Sequence, residues 1–220
     1  MARQVAFWAP KGGVGATTLA VNVAAAACEF ELRVAYADLD HAGGDGALFF
    51  GDGSCDHESP AGSWRHPCGL WGHVAADGDD ARALASGLRG GHDFVVLDLP
   101  SAARPSDLGS DLLVVVVGAD VASLVRSRRA LAAMPPESPP VCVVVVSTSG
   151  ATVRAGDVDA VLGVSSRVML AHDAGLVRRG DRGVFSYGIH RSPWARTVRA
   201  LTADLCAGLT SRSASEGVGR

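Results

Sequence analysis

The chain is punctuated by short, unbroken apolar runs set between glycine-rich or amphipathic stretches. Phe94 to Leu99 (FVVLDL), Leu112 to Val117 (LLVVVV) and Val141 to Val146 (VCVVVV) are β-branched and bounded by turn residues. Continuous rather than alternating apolarity means burial on both faces, which is the pattern of parallel strands covered by helices. Gln4 to Ala9 and Arg33 to Asp38 (RVAYAD) read as two earlier strands, and Arg167 to Leu170 as one more. Helical patterns lie between them. Thr17 to Phe30 is Ala-rich with threonine at its start, Val121 to Met134 is amphipathic and stopped by Pro135-Pro136, and Pro193 to Leu209 opens on a proline. Residues 51–80 show little periodicity and read as a loop-rich insert, and residues 210–220 as a disordered tail. The expectation is a single α/β domain over residues 1–209, a mostly parallel, doubly wound sheet of roughly seven or eight strands with helices on both faces.

The link between the first strand and the first helix is APKGGVGATT, residues 9–18. Gly12, Gly13 and Gly15 let backbone N–H groups turn inward around an anion at a helix mouth, where the helix dipole adds attraction. Thr17 stands where a hydroxyl can ligate magnesium. The general phosphate-loop pattern, Gly-x-x-x-x-Gly-Lys-Ser/Thr, requires glycine at position 10 and lysine at position 16, where this chain has Pro10 and Ala16. Its sole lysine is Lys11, against nineteen arginines, which points to an ammonium being wanted at that place.

KGGVGATT resembles the deviant phosphate loop of the MinD/ParA superfamily of P-loop NTPases, KGGxGKTT, in which the early signature lysine reaches across a nucleotide-sandwich dimer. Two further stretches match in order. DLDHAGGDGALFFG resembles the switch-I region and HDFVVLDLP the magnesium-holding strand end. Ala16 together with the glycine cluster is similar to the CpaE/TadZ branch, localisation factors of pilus and secretion machineries, and equally to an actinobacterial septum-site-determining branch. The resemblance implies ATP or ADP with magnesium as ligands. Lys11, Gly12, Gly13, Val14, Gly15, Ala16, Thr17 and Thr18 would hold the nucleotide. Thr17, Asp38, Asp40 and Asp98 would hold magnesium, partly through water, and Lys11 and Asp40 would be the catalytic residues. It further implies a nucleotide-dependent homodimer, protein partners in a secretion, pilus or division apparatus, and recruitment to a polar or septal site.

Two departures bear on activity. An Asn that reads the adenine edge is the family's habit after the strand near residue 146, whereas this chain continues Ser147-Thr148, so base selectivity stays open. Without an ammonium at position 16 a charge-assisted contact to phosphate is missing, a loss of about 1.5–3 kcal/mol or roughly tenfold to a hundredfold in affinity. Weak binding and slow or absent turnover are expected, unless Lys11 compensates. The alternative is an active ParA/MinD-type ATPase that partitions DNA or other cargo.

Composition narrows the remaining classes. At 48% hydrophobic and 20% charged residues the chain is globular, and a net charge of −3 gives no global attraction to nucleic acid or anionic membrane. Arg126, Arg128 and Arg129, with Arg178, Arg179, Arg182, Arg191, Arg196 and Arg199 further on, are the material for a DNA-binding face, but the acidic total does not favour one. The N-terminus lacks a signal-peptide pattern and no apolar run approaches the ~20 residues of a membrane span, so a cytoplasmic protein without a transmembrane segment is expected. Five cysteines, an odd number, read as reduced thiols. Cys55, His57, His66 and Cys68 make a zinc-like grouping with unfamiliar spacing, and solvated loop residues are the preferred reading.

Overall fold

The structure, a computed structural model, describes residues 2–40, 46, 49, 63–66, 68–147, 150, 153–163, 167–176 and 192–207. Eight strands form one sheet: β1 (Arg3–Trp8), β2 (Val34–Asp38), β3 (Ser63–Arg65), β4 (Trp71–Val74), β5 (Phe94–Asp98), β6 (Leu112–Gly118), β7 (Val141–Val146) and β8 (Arg167–Leu170). Their spatial order is β3-β4-β2-β5-β1-β6-β7-β8. Every pairing is parallel except the antiparallel contact of β3 with β4. The helices are α1 (Ala16–Ala27), α2 (Gly78–Gly91), α3 (Val121–Ala132), α4 (Ala155–Leu162) and α5 (Pro193–Cys206).

The continuous apolar runs have the expected cause. Along β1, Val5 and Phe7 enter one core with α1 and α5, while Ala6 and Trp8 enter a second core with α2, α3 and α4. Strand residues of both parities are therefore buried. Trp194, Val198, Leu201 and Leu205 of α5 meet Leu19 and Val23 of α1 in the first core.

The described part of the 51–80 stretch, residues 63–66 and 68–80, holds more regular structure than its periodicity implies. Strands β3 and β4 lie there, and α2 begins at Gly78, capped by the Asp77 carboxylate, which accepts from the backbone N–H groups of Asp79 and Asp80 at 3.0 and 2.8 Å. Strands of three and four residues are too short to show a period of two, and Trp64 is buried by lying over Gly72, where a Cβ would overlap its ring. α2 and α4 have no counterpart in the sequence reading. Residues 51–62 and the tail from 208 lie outside the described residues.

Candidate functional site

Topology puts the site at the carboxyl ends of three adjacent strands. β1 lies between β5 and β6, so the chain leaves it at the point where the strand order reverses, which is where open α/β sheets bind ligands. β2 and β5 lie side by side with Asp38 opposite Asp98, and Phe7 of β1 is also in register with Asp98. Two strand-end carboxylates and the loop after β1 are thereby forced together.

The loop takes the form its glycines allow. Gly13 and Gly15 have φ of +76° and +95°, a left-handed backbone that a side chain would strain, and Gly15 is the N-cap of α1. No side chain caps α1 and no acidic residue occupies its first turn, so its first amides and positive dipole end are free for an anion. A Cβ on Gly12, Gly13 or Gly15 would meet nothing within 4 Å. The loop borders a cleft of about 360 Å³ that is also lined by Thr17, Thr18, Asp38, Asp40 and Asp98. Ala16 lines it too, its methyl packed against the α1 side of the core.

The carboxylates are held by short local bonds. Asp38 is buried; its Oδ1 accepts from the Asp40 N–H at 3.0 Å and its Oδ2 from the Gly46 N–H at 2.9 Å. A Cβ at residue 46 would overlap the Tyr36 hydroxyl, so glycine is required for this approach. Asp98 is 3% exposed, and its Oδ2 accepts from the Tyr36 hydroxyl at 3.0 Å. Its Oδ1 is buried without a hydrogen bond of ordinary geometry. Burial pushes the Asp98 carboxyl up to about 7; the hydroxyls of Thr17 and Tyr36 pull it down, and the charges of Asp38 and Asp40 push it further up. Tyr36 is itself held well above its usual range, by burial first and then by Asp98 and Asp38, and remains a donor.

Lys11 is placed elsewhere. Neither it nor Val14 lines the cleft. The Lys11 ammonium donates to both carboxylate oxygens of Asp120, each at 3.1 Å. Asp120 is the N-cap of α3, accepting from the Ser123 N–H at 2.9 Å and the Ser123 hydroxyl at 2.6 Å. Burial works against its ionisation, but the Ser123 hydroxyl and amide and the Lys11 ammonium outweigh it and hold the carboxyl below its usual range. Gly118 permits the packing, since a Cβ there would come within 3.1 Å of Asp120, Ser123 and Val14 side-chain atoms.

The structure thus brings together Gly12, Gly13, Gly15, Ala16, Thr17, Thr18, Asp38, Asp40 and Asp98, and leaves Lys11 and Val14 outside. Sequence reasoning missed Tyr36, Asp120 and Ser123. Asp120 carried a readable signal, an Asp between a β-branched strand and an amphipathic helix, which is an N-cap position. Tyr36 carried none beyond a hydroxyl among the small apolar residues of β2.

The donors suit magnesium. Thr17 and the three carboxylates offer only oxygen, and the buried Asp98 Oδ1, with no hydrogen bond of ordinary geometry, has acceptor capacity left for a cation. Among the described residues no three His, Cys, Asp or Glu side chains converge as a direct metal cage. Cys55 and His57 of the zinc-like grouping lie outside the described residues, while His66 and Cys68 sit together in the β3–β4 turn. Arg126, Arg128 and Arg129 are exposed on α3; Arg178, Arg179 and Arg182 lie outside the described residues. No described helix is long and apolar enough to cross a membrane.

No protein-family model matches the chain, and no curated protein does. Solved structures do. The MinD cell division protein of Aquifex aeolicus aligns with a TM-score of 0.75 at 18% identity, over 93% of this chain and 96% of that one. The septum-site-determining protein MinD of Pyrococcus horikoshii OT3, solved with Mg-ADP, gives 0.79 at 16% identity over 96% and 99%. A ParA family ATPase from Chlorobium tepidum TLS gives 0.76 at 14% identity over 91% and 97%. The fold is that of the MinD/ParA P-loop ATPases.

Proposed function

We propose that the chain is a MinD/ParA-like nucleotide-binding protein with a degenerate phosphate loop, acting as a CpaE/TadZ-like localisation or assembly factor for a pilus, secretion or septum apparatus. One observation carries this reading: Ala16 lines the cleft at the place of the in-line lysine, while the positive-φ glycines, Thr17 and three carboxylates still surround it. A methyl group cannot neutralise phosphate charge. The open amides of Gly12 to Thr18 hold the phosphates of ATP or ADP, and Thr17 with Asp38, Asp40 and Asp98 holds magnesium, partly through water. Magnesium supplies the charge that draws phosphate oxygens into this acidic corner. Asp40 orients water on the open side of the cleft. Lys11 serves a nucleotide-dependent homodimer by leaving Asp120 and reaching a second copy's site. The Mg-ADP in the Pyrococcus protein supports the ligand choice.

The alternative, an active ParA/MinD-type ATPase moving DNA or other cargo, is favoured by Lys11 itself. Its pair with Asp120 is about one-third exposed on each side, with side-chain exposures of 34% and 37%, and such pairs are held by about 0–1 kcal/mol. The ammonium can be recruited cheaply. Titration with a fluorescent ATP analogue, with and without magnesium, and phosphate release on the same samples separate the two readings. The localisation reading expects weak, magnesium-dependent binding with little release. Release at the rates ordinary for this class of ATPase overturns it, and no binding of any nucleotide overturns both.

A further inference from the structure

Away from the nucleotide cleft, the turn between β3 and β4 carries a second cluster of reactive groups. The His66 N–H donates to the Leu70 carbonyl and the Gly69 N–H to the His66 carbonyl, both at 2.9 Å, and Gly69 adopts φ +93° to close the turn. This fold-back sets Cys68 Sγ 3.0 Å from His66 Nδ1, the same nitrogen that accepts the Cys68 backbone N–H at 3.2 Å. A ring nitrogen accepting a backbone N–H presents its lone pair, so the thiol is the second donor and the nitrogen is its base.

Cys28, in the single turn of 3-10 helix that follows α1, has its thiol facing that of Cys68 and donating to the Ala24 carbonyl at 3.5 Å. Both pack on the α1 side of the core and both are half-buried. Among the described residues the titratable groups facing Cys68 are Cys28 and His66, and Glu29 faces Cys28. The Cys28 thiol, then the Leu70 amide and His66, hold Cys68 below the usual thiol range against the opposing effect of burial. Cys28 is pushed the other way, by Cys68 first and then by burial. The remaining described thiols are inert by comparison, since burial raises Cys142 and pushes Cys206 up to about 12.

We propose that Cys68 is a nucleophilic thiolate paired with His66, that Cys28 is its resolving thiol, and that the pair is a site of oxidation by hydroperoxides. Cys68 gives its proton to His66 Nδ1, and the thiolate attacks one oxygen of hydrogen peroxide. The O–O bond breaks, and the departing hydroxide takes the His66 proton and leaves as water, with Cys68 as the sulfenic acid. The Cys28 sulfur then attacks the Cys68 sulfur; the S–S bond forms, the S–O bond breaks, and hydroxide leaves as water with the Cys28 proton. The two thiols lose two electrons and the peroxide becomes two waters. The product ties the base of α1, the helix that opens at the glycine loop, to the hairpin at the sheet edge.

Mass-spectrometric mapping of the full chain tests this. Brief iodoacetamide labelling near about pH 6.5 is expected to modify Cys68 at least about tenfold faster than Cys142 and Cys206. Stoichiometric hydrogen peroxide is expected to yield a Cys28–Cys68 disulfide peptide in the wild type, and a dimedone-trapped Cys68 sulfenic acid in Cys28→Ser. His66→Gln should slow Cys68 labelling at that pH and converge with wild type near about pH 9, where an ordinary thiol also ionises. A purely structural histidine would not produce that convergence. Uniform labelling of the cysteines in the wild type, a disulfide joining other pairs, or stoichiometric co-purifying zinc that blocks Cys68 each overturn the proposal.

Discussion

Lys11 and Asp120 form an ion pair at 3.1 Å that ties the glycine loop after β1 to the N-terminus of α3. The carboxylate has two duties at once, capping α3 through Ser123 and holding the ammonium away from the cleft lined by the glycine loop. Asp120→Asn keeps the capping oxygen, because Asn is as good an N-cap as Asp, but removes the charge. The pair is a partly exposed one worth up to about 1 kcal/mol, so its loss is expected to tighten ATP binding by about two- to fivefold with the melting temperature nearly unchanged. Asp120→Ala removes the cap as well and is expected to cost about 1 kcal/mol of stability. Binding titrations and thermal melts of both variants check the two effects separately.

Asp98 is a buried carboxyl raised to about 7, so its ionised form is disfavoured in the folded protein. Its folded-state value lies above the unfolded one, so between the two the folded state binds more protons and stability falls as pH rises. Without ligand, thermal stability from this group is therefore expected to be fully present below about pH 4 and to be lost as pH approaches about 7. Asp98→Asn should flatten that slope, raise the melting temperature at neutral pH, and abolish the magnesium dependence of nucleotide binding. Melts across pH, with and without magnesium, read all three.

Gly72 is the floor beneath Trp64, whose buried ring also lies 6.5 Å from that of Tyr36, measured between ring centroids. Gly72→Ala inserts a methyl into that ring from rigid strand backbone. Overpacking of this kind costs about 1–3 kcal/mol, and because Tyr36 donates to Asp98 the disturbance is one side chain from the site. Urea unfolding is expected to show a lower midpoint with an unchanged slope.

What the sequence disclosed and what it hid follow from the range of the signals. Strands β5, β6 and β7 were legible because burial on both faces leaves a run such as VCVVVV without polar interruption. The glycine loop after β1 was legible because left-handed backbone at Gly13 and Gly15 demands glycine at fixed spacing. β3 and β4 were hidden because their order depends on one tryptophan lying over one glycine, a contact between strands rather than a periodicity. α2 was hidden because Gly78, Gly87, Gly90 and Gly91 interrupt its helical signal and its buried stripe, Ala81, Ala85 and Leu88, is mostly alanine. At the site, Asp38 and Asp98 were found as strand-end acids, but Tyr36 and Asp120 act through partners 62 and 109 positions away, which no local pattern encodes.

The central claim is that Ala16 leaves a formed but under-charged nucleotide site. The most direct measurement is ATP affinity, with magnesium, of Ala16→Lys against wild type. Restoring the ammonium is expected to tighten binding about tenfold to a hundredfold and to raise phosphate release above a low wild-type rate. Equal affinity in the two proteins, or brisk hydrolysis by the wild type, would contradict it.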